Sequence, residues 1–192
     1  MPRESLKEPI LAAALKVLHR RGFNATGVQD ITDAAGVPKG SFYNHFESKE
    51  ALGIEALDRY WEGALNSLKM LEDEEVAPVV RLKAYFHRLN LMARKSEYRP
   101  GCFIGNLGAE MSDQSPMFRK RLAVIFATWS RAIEACVKEA QADGSMRRDL
   151  DAKTIASFLL NSWEGAVLRS KVDRGQGPLD AFEKVVFTAL AK

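Results

Sequence analysis

The stretch VQDITDAAGVPKGSFYNHFESKEAL, residues 28–52, decides the fold. A short segment with apolar residues at helical spacing, Val28 to Ala35, stops at Gly36, a residue that takes the positive φ a sharp turn needs. A second segment runs from Pro38 to Phe46. Pro38 suits its first turn, where the missing N–H would have no partner in any case. Ile31, Ala34, Ala35, Val37, Phe42 and Phe46 pack the two segments together. That leaves Lys39, Gly40, Ser41, Tyr43, Asn44 and His45 outside, each hydrogen-bonding or without a side chain, a surface suited to phosphates and base edges. Upstream, Ile10, Leu11, Ala14, Leu15 and Leu18 form one face of a first helix, which ends at Gly22 after the basic pair Arg20 and Arg21. A short helix, a glycine turn and a second short helix packed across a longer one is the arrangement that lays an exposed helix in the major groove of DNA.

The rest of the chain reads as all-α. Ser48 caps a fourth helix carrying Leu52, Leu57 and Trp61, and the acidic stretch EDEEVAP (72–78) predicts a loop between two halves. Further helices are expected near 79–95, 102–113, 116–143, 151–173 and 178–191. The breaks fall at Arg99-Pro100-Gly101, Ser115-Pro116, Asp143-Gly144 and Gly175 to Pro178. The expected organisation is a DNA-binding domain over 4–64, built on a three-helix helix-turn-helix unit, and a second helical domain over 65–192.

Composition narrows the function classes. With 46% hydrophobic and 28% charged residues, the 192-residue chain can bury a core. No apolar run approaches the roughly 18 residues of a membrane span, and MPRESLKEPI lacks the layout of a signal peptide, so a cytoplasmic protein without membrane contact is expected. Cys102 and Cys136 cannot make a disulfide framework, and no Cys/His cluster has zinc-ligand spacing; neither a metal nor a cofactor is expected. The net charge is +3, and residues 1–50 hold seven Lys/Arg against six Asp/Glu, so charge alone does not point to DNA. An enzyme using a cysteine nucleophile would need a base. The only histidines are His19, His45 and His87, two of them in or beside the DNA-binding segment, so the chain reads as a non-enzyme.

The run ILAAALKVLHRRGFNATGVQDITDAAGVPKGSFYNHFESKEAL resembles the helix-turn-helix signature of the TetR family of transcriptional repressors, with AAGV, KGSFY, HF and SKEAL all in place. The resemblance implies a homodimer that binds palindromic double-stranded operator DNA and releases it when a small molecule enters the C-terminal domain. Carried over by position, it makes Lys39, Gly40, Tyr43 and His45 recognition-helix contacts and Lys49 a phosphate contact, with Thr26 and Gln29 approaching DNA from the second helix. Two departures stand out. Gly27 replaces a frequent Ser or Thr, and Pro38 a frequent Ser.

In the second half, RPGCFIGNLGAEM (99–111), DQSP (113–116) and WEGAVLRSKV (163–172) resemble a TetR subgroup that responds to electrophiles and to unsaturated acids such as acrylate. Pro100-Gly101 predicts a helix start with Cys102 in its first turn, where unpaired N–H groups and the helix dipole favour thiolate. Asn106 and Glu110 follow at one-turn intervals on the same face. Phe103, Trp129 and Trp163, with Phe126 and Phe158, are candidates to wall a pocket between helices. The resemblance adds Lys171 as a neighbour of the reactive cysteine. A packing role for Cys102, a solvated Lys171 and a regulator with no small-molecule input are the open alternatives; Cys136, inside an amphipathic helix, reads as packing. Phe158, Leu159, Trp163, Ala166 and Val167, with Phe182, Val186 and Leu190, are the apolar faces expected to support dimerisation. The resemblance pairs these last two helices across a two-fold axis, placing recognition helices about 34–36 Å apart.

Overall fold

In a computed structural model describing residues 5–191, the chain forms eight α-helices and two short 3₁₀ helices. In order these are α1 (Lys7–Arg21), α2 (Val28–Ala35), a 3₁₀ segment Lys39–Asn44, α3 (Lys49–Leu68), a 3₁₀ turn Lys69–Glu72, α4 (Pro78–Lys95), α5 (Phe103–Met111), α6 (Pro116–Ala142), α7 (Ala152–Asp173) and α8 (Gly177–Leu190). Among the described residues the only β pairing is a bridge between Met146 and Ala191. The all-α expectation holds. The starting residue of the expected first domain, Glu4, lies outside the described residues.

The chain divides into two compact units, and the division differs from a single cut near residue 64. The N-terminal unit takes residues 1–63 together with 103–122, and the C-terminal unit takes 64–102 and 123–192. Specific contacts within the N-terminal unit explain why α5 and the start of α6 belong to it. Glu110 accepts hydrogen bonds from the Phe23 and Asn24 backbone N–H groups, at 2.8 and 2.6 Å. Ser115 is hydrogen-bonded to Glu50, Arg121 pairs with Asp58, and the Phe118 ring meets Phe23 edge-on at 5.1 Å. No local sequence pattern announces these pairings, which join residues 63 to 95 positions apart.

Around Phe23 the N-terminal unit is packed to its limit. A Cβ added at Gly53 of α3 would lie 2.7 Å from the Phe23 ring and 2.8 Å from that of Phe118. Both rings are buried, and Glu110 holds the Phe23 backbone, so neither can step aside freely. Gly53→Ala gains about 1 kcal/mol of helix propensity but costs roughly 1–3 kcal/mol in overpacking. We expect the packing cost to win, which a lowered midpoint in urea unfolding, with unchanged slope, would show.

The C-terminal unit has its own core, with Leu82, Tyr85 and Phe86 of α4, Ile125, Trp129 and Ile133 of α6, Leu159, Leu160 and Trp163 of α7, and Leu179 of α8 all buried. Arg81, 3% exposed, pairs with Glu139 and donates to the Leu71 carbonyl at 2.7 Å, so this buried cation is compensated.

Candidate DNA-binding face and sensor site

The recognition element is shorter and tighter than the expected helix over 38–46. Pro38 precedes it in an extended conformation, and Ser41 N–H bonds back to the Pro38 carbonyl at 2.9 Å, an i→i+3 turn. Gly40, a poor helix former, lies within it. Gly36 takes the left-handed conformation that turns the chain, φ +68°. Phe42 and Phe46 point inward, 0% and 3% exposed, with ring centroids 5.6 Å apart. Lys39, Gly40, Tyr43 and Asn44 are exposed, Tyr43 at 61%; Ser41 and His45 are half-buried. An anchored element thus presents a cation, a phenol, an amide and a backbone open to close approach at Gly40.

Around it, α2 starts at Gly27, whose N–H donates to Asp30 Oδ2 at 2.7 Å. Asp30 thereby supplies one half of a capping box that a residue without a side chain cannot complete. Ser48 accepts the Ala51 N–H at 3.0 Å and caps α3, as the sequence predicts.

The second cluster lies within the C-terminal unit. Cys102 is 5% exposed and immediately precedes α5. Its thiol is hydrogen-bonded to the Glu164 carboxylate of α7. Burial pushes the Glu164 carboxyl up to about 7, and its Oε1 atom is shut off from solvent with no hydrogen-bond partner. Burial also raises the Tyr85 phenol well above its ordinary range, with Cys102 and Glu164 acting in the same direction. Trp129 Nε1 donates to Tyr85 Oη at 2.7 Å, and the Trp129 and Trp163 rings meet edge-on at 5.6 Å. Trp163 Nε1 donates to Asn90, which donates in turn to Glu183 at 2.6 Å. Phe126 stacks on Trp129 with centroids 6.4 Å apart.

A carboxyl raised by burial favours the folded state while protonated. The stability it contributes is complete below its unfolded value near 4.5 and is lost as pH rises through about 7. Glu164→Gln is therefore expected to flatten the fall in thermal stability between pH 5 and pH 8. Melting curves at four pH values check this, and an unaltered slope would mean that Glu164 is not held as an acid.

Two family models match the chain: "Bacterial regulatory proteins, tetR family" over residues 10–56 and "Tetracyclin repressor-like, C-terminal domain" over residues 78–186. The repressor DhaR of Mycobacterium sp. strain GP1 is 42% identical over 191 residues, covering 99% of this chain and 94% of its own length. This chain belongs to the TetR family. The transcriptional repressor NemR of Escherichia coli K12 is 30% identical over 180 residues, 91% of this chain and 88% of NemR. The crystal structure of reduced E. coli NemR superposes with a TM-score of 0.85 at 26% identity, covering 98% of each chain. A TetR regulatory protein from Rhodobacter sphaeroides superposes with a TM-score of 0.91 at 31% identity, covering 97% of this chain and all of the other. The chain is thus a TetR-family transcriptional repressor with a helix-turn-helix DNA-binding domain, a regulator and not an enzyme.

Several residues singled out in this TetR-family sequence do other work in the structure. Thr26 is fully buried, its hydroxyl donating to the Gly22 carbonyl at 2.7 Å, so it presents no side chain to DNA. Lys49 is half-buried; its Nζ donates to the carbonyls of Phe23 and Thr26 at 3.0 Å each and lies 4.2 Å from the Phe23 ring centroid, which makes it a strut across the α1–α2 turn. Glu110 is taken up by the same turn through Phe23 and Asn24, and Phe103 is buried in the N-terminal unit between His19 and Tyr60, at 5.2 and 5.5 Å. Neither carries over as a sensor residue. Gln29 is exposed on α2, its amide on Asp33.

Cys102 directly precedes α5, one residue before the expected first turn, and Asn106 and Glu110 fall in the other unit. Phe158 is 55% exposed and walls nothing, while Lys171 is half-buried on α7. Cys136 is 1% exposed, its thiol on the Pro78 carbonyl and pushed up to about 11 by burial. An open groove of about 620 Å³ between α4 and α8, lined by Val80, Lys83, His87, Glu183 and Phe187 among others, does not include the tryptophans. Sequence reading missed Glu164 and Tyr85. Glu164 was visible as an acid directly after Trp163 in a largely apolar stretch, whereas nothing local marks Tyr85.

Proposed function

We propose that this TetR-family repressor binds a palindromic operator as a cytoplasmic homodimer through the Lys39–His45 surface, and lets go when a small electrophile modifies Cys102 or an unsaturated ligand settles beside it. The observation that carries the sensor reading is the position of Cys102. It is buried beside Glu164 in the C-terminal unit, and the next residue begins α5 of the N-terminal unit. Glu110 of that helix holds the Phe23–Asn24 backbone just ahead of α2. Cys102 is 5% exposed, so bulk added there strains the packing around it, and packed helices respond to such strain by discrete shifts. A shift passed along α5 reaches the helix-turn-helix through Glu110.

Dimerisation is supported by a face that the core does not use. On α7, Phe158, Leu168 and Val172 are 55%, 62% and 70% exposed, and with Asn161 and Gly165 they form one stripe; Val185 of α8 is 65% exposed. A helix apolar on both sides needs a second partner, and an open Gly165 permits close approach. The expected interface residues Leu159, Trp163, Val167, Phe182, Val186 and Leu190 are instead buried within the protomer.

The test is operator release. Wild type, Cys102→Ser and Cys136→Ser are treated with N-ethylmaleimide or acrylate and followed by gel shift. Release by wild type and Cys136→Ser but not by Cys102→Ser is expected. Equal release by Cys102→Ser removes covalent sensing there, and no release by any reagent favours a regulator without small-molecule input.

A further inference from the structure

We propose that Glu164 is the proton acceptor for Cys102 when its thiol adds to an uncharged conjugated electrophile such as an enone or a maleimide. The proposal rests on Cys102 being the sensor and adds a second residue to that site. Three observations carry it. The Glu164 carboxylate is a hydrogen-bond partner of the Cys102 thiol, so a proton has a direct path between the two groups. Its other oxygen, Oε1, is enclosed and has no partner, in contrast to Glu139, which answers the buried Arg81. A half-buried acid with an enclosed oxygen and no cation to compensate it is costly to keep, and such groups concentrate where proton transfer is needed. Near the pair is the Tyr85 phenol of α4, bonded to the Trp129 indole of α6, whose ring meets that of Trp163 edge-on.

The chemistry balances without an oxidant. The thiol S–H bond breaks and its proton passes to the Glu164 carboxylate as sulfur bonds to the β-carbon of the electrophile. The electron pair of the C=C bond moves to give an enolate. The Glu164 acid then returns the proton to the α-carbon, leaving a thioether and a regenerated carboxylate. An ordinary glutamate near 4.3 is too weak a base for a thiol near 8.5. Raised to about 7, the carboxylate stands much nearer to the thiol while remaining substantially ionised at neutral pH.

The experiment measures the second-order rate of N-ethylmaleimide addition from pH 5.5 to 9.5 in full-length Cys136→Ser protein, with and without Glu164→Gln, locating the adduct by mass spectrometry. With Glu164 present the rate should rise through an inflection near pH 7. Glu164→Gln should lose that inflection, and at pH 7.5 the rate should fall on the order of 10²-fold, the lower range of what a positioned base contributes. Identical profiles, with Cys102 labelled and operator released in both, overturn the role of Glu164 and leave the sensor intact. Absence of label on Cys102, or label without operator release, overturns the sensor reading itself. Glu164→Asp, run beside them, keeps a carboxyl but withdraws it by one methylene. A proton acceptor then shows a slower rate with the inflection retained, and a packing role shows a rate that follows only the thiol's own ionisation, so the test stands even if the amide variant does not fold.

Discussion

Leu168→Glu combined with Val172→Glu is expected to yield a folded monomer that binds operator roughly 10²–10⁴-fold more weakly than wild type, because linkage of two half-site binders is worth about that much. Both side chains are largely exposed in the protomer, at 62% and 70%. Their replacement should therefore leave monomer stability within about 0.5 kcal/mol. In a two-fold interface the same changes bring four carboxylates together without cations, at a cost of several kcal/mol. Sedimentation at micromolar concentration reads the outcome. Val186→Glu makes the contrast: Val186 is 4% exposed in the protomer core, so its variant should lose folding and not only pairing. A double variant that remains dimeric would place the interface on another face.

Phe42 and Tyr43 are neighbours in sequence and should behave as opposites. Phe42 is fully buried against Phe46, so Phe42→Ala should cost roughly 3–5 kcal/mol and unfold the DNA-binding unit at moderate temperature. Tyr43 is 61% exposed, and Tyr43→Ala should leave the melting temperature nearly unchanged. It should weaken operator binding by about 1–3 kcal/mol if the phenol reads a base edge; a flatter dependence on salt would instead show a lost phosphate contact. Lys49→Ala joins the structural class, since its ammonium ties two carbonyls of the α1–α2 turn. Unaltered stability of Phe42→Ala, or unaltered affinity of Tyr43→Ala, would reverse the inside and the outside of the recognition segment.

The helices were legible because each is written locally. Gly22 and Gly36 end α1 and α2, Ser48 caps α3, Pro78 and Pro116 open α4 and α6, and Asp151 caps α7 by accepting the Thr154 N–H. The family followed from the dense match over residues 10–52. What stayed hidden depends on distant partners. Lys49 and Thr26 look like DNA contacts until the carbonyls of Phe23, Thr26 and Gly22 are seen to engage them. Glu110 lies at helical spacing from Cys102, yet its partners are 86 and 87 residues away. Periodicity marked α7 as apolar without saying that Trp163 and Phe158 face opposite ways, one into the core and one out. Glu164 becomes notable only once its burial and its thiol partner are known.

The central claim is that the state of Cys102 sets operator affinity. It is tested most directly by titrating an operator-bound wild-type dimer with N-ethylmaleimide, reading the Cys102 adduct by mass spectrometry and bound operator by fluorescence anisotropy in the same samples. The account predicts that operator is lost in step with Cys102 modification, while Cys136, buried and raised to about 11, stays unmodified. Full modification of Cys102 with the operator still bound, or release before any adduct forms there, would contradict it.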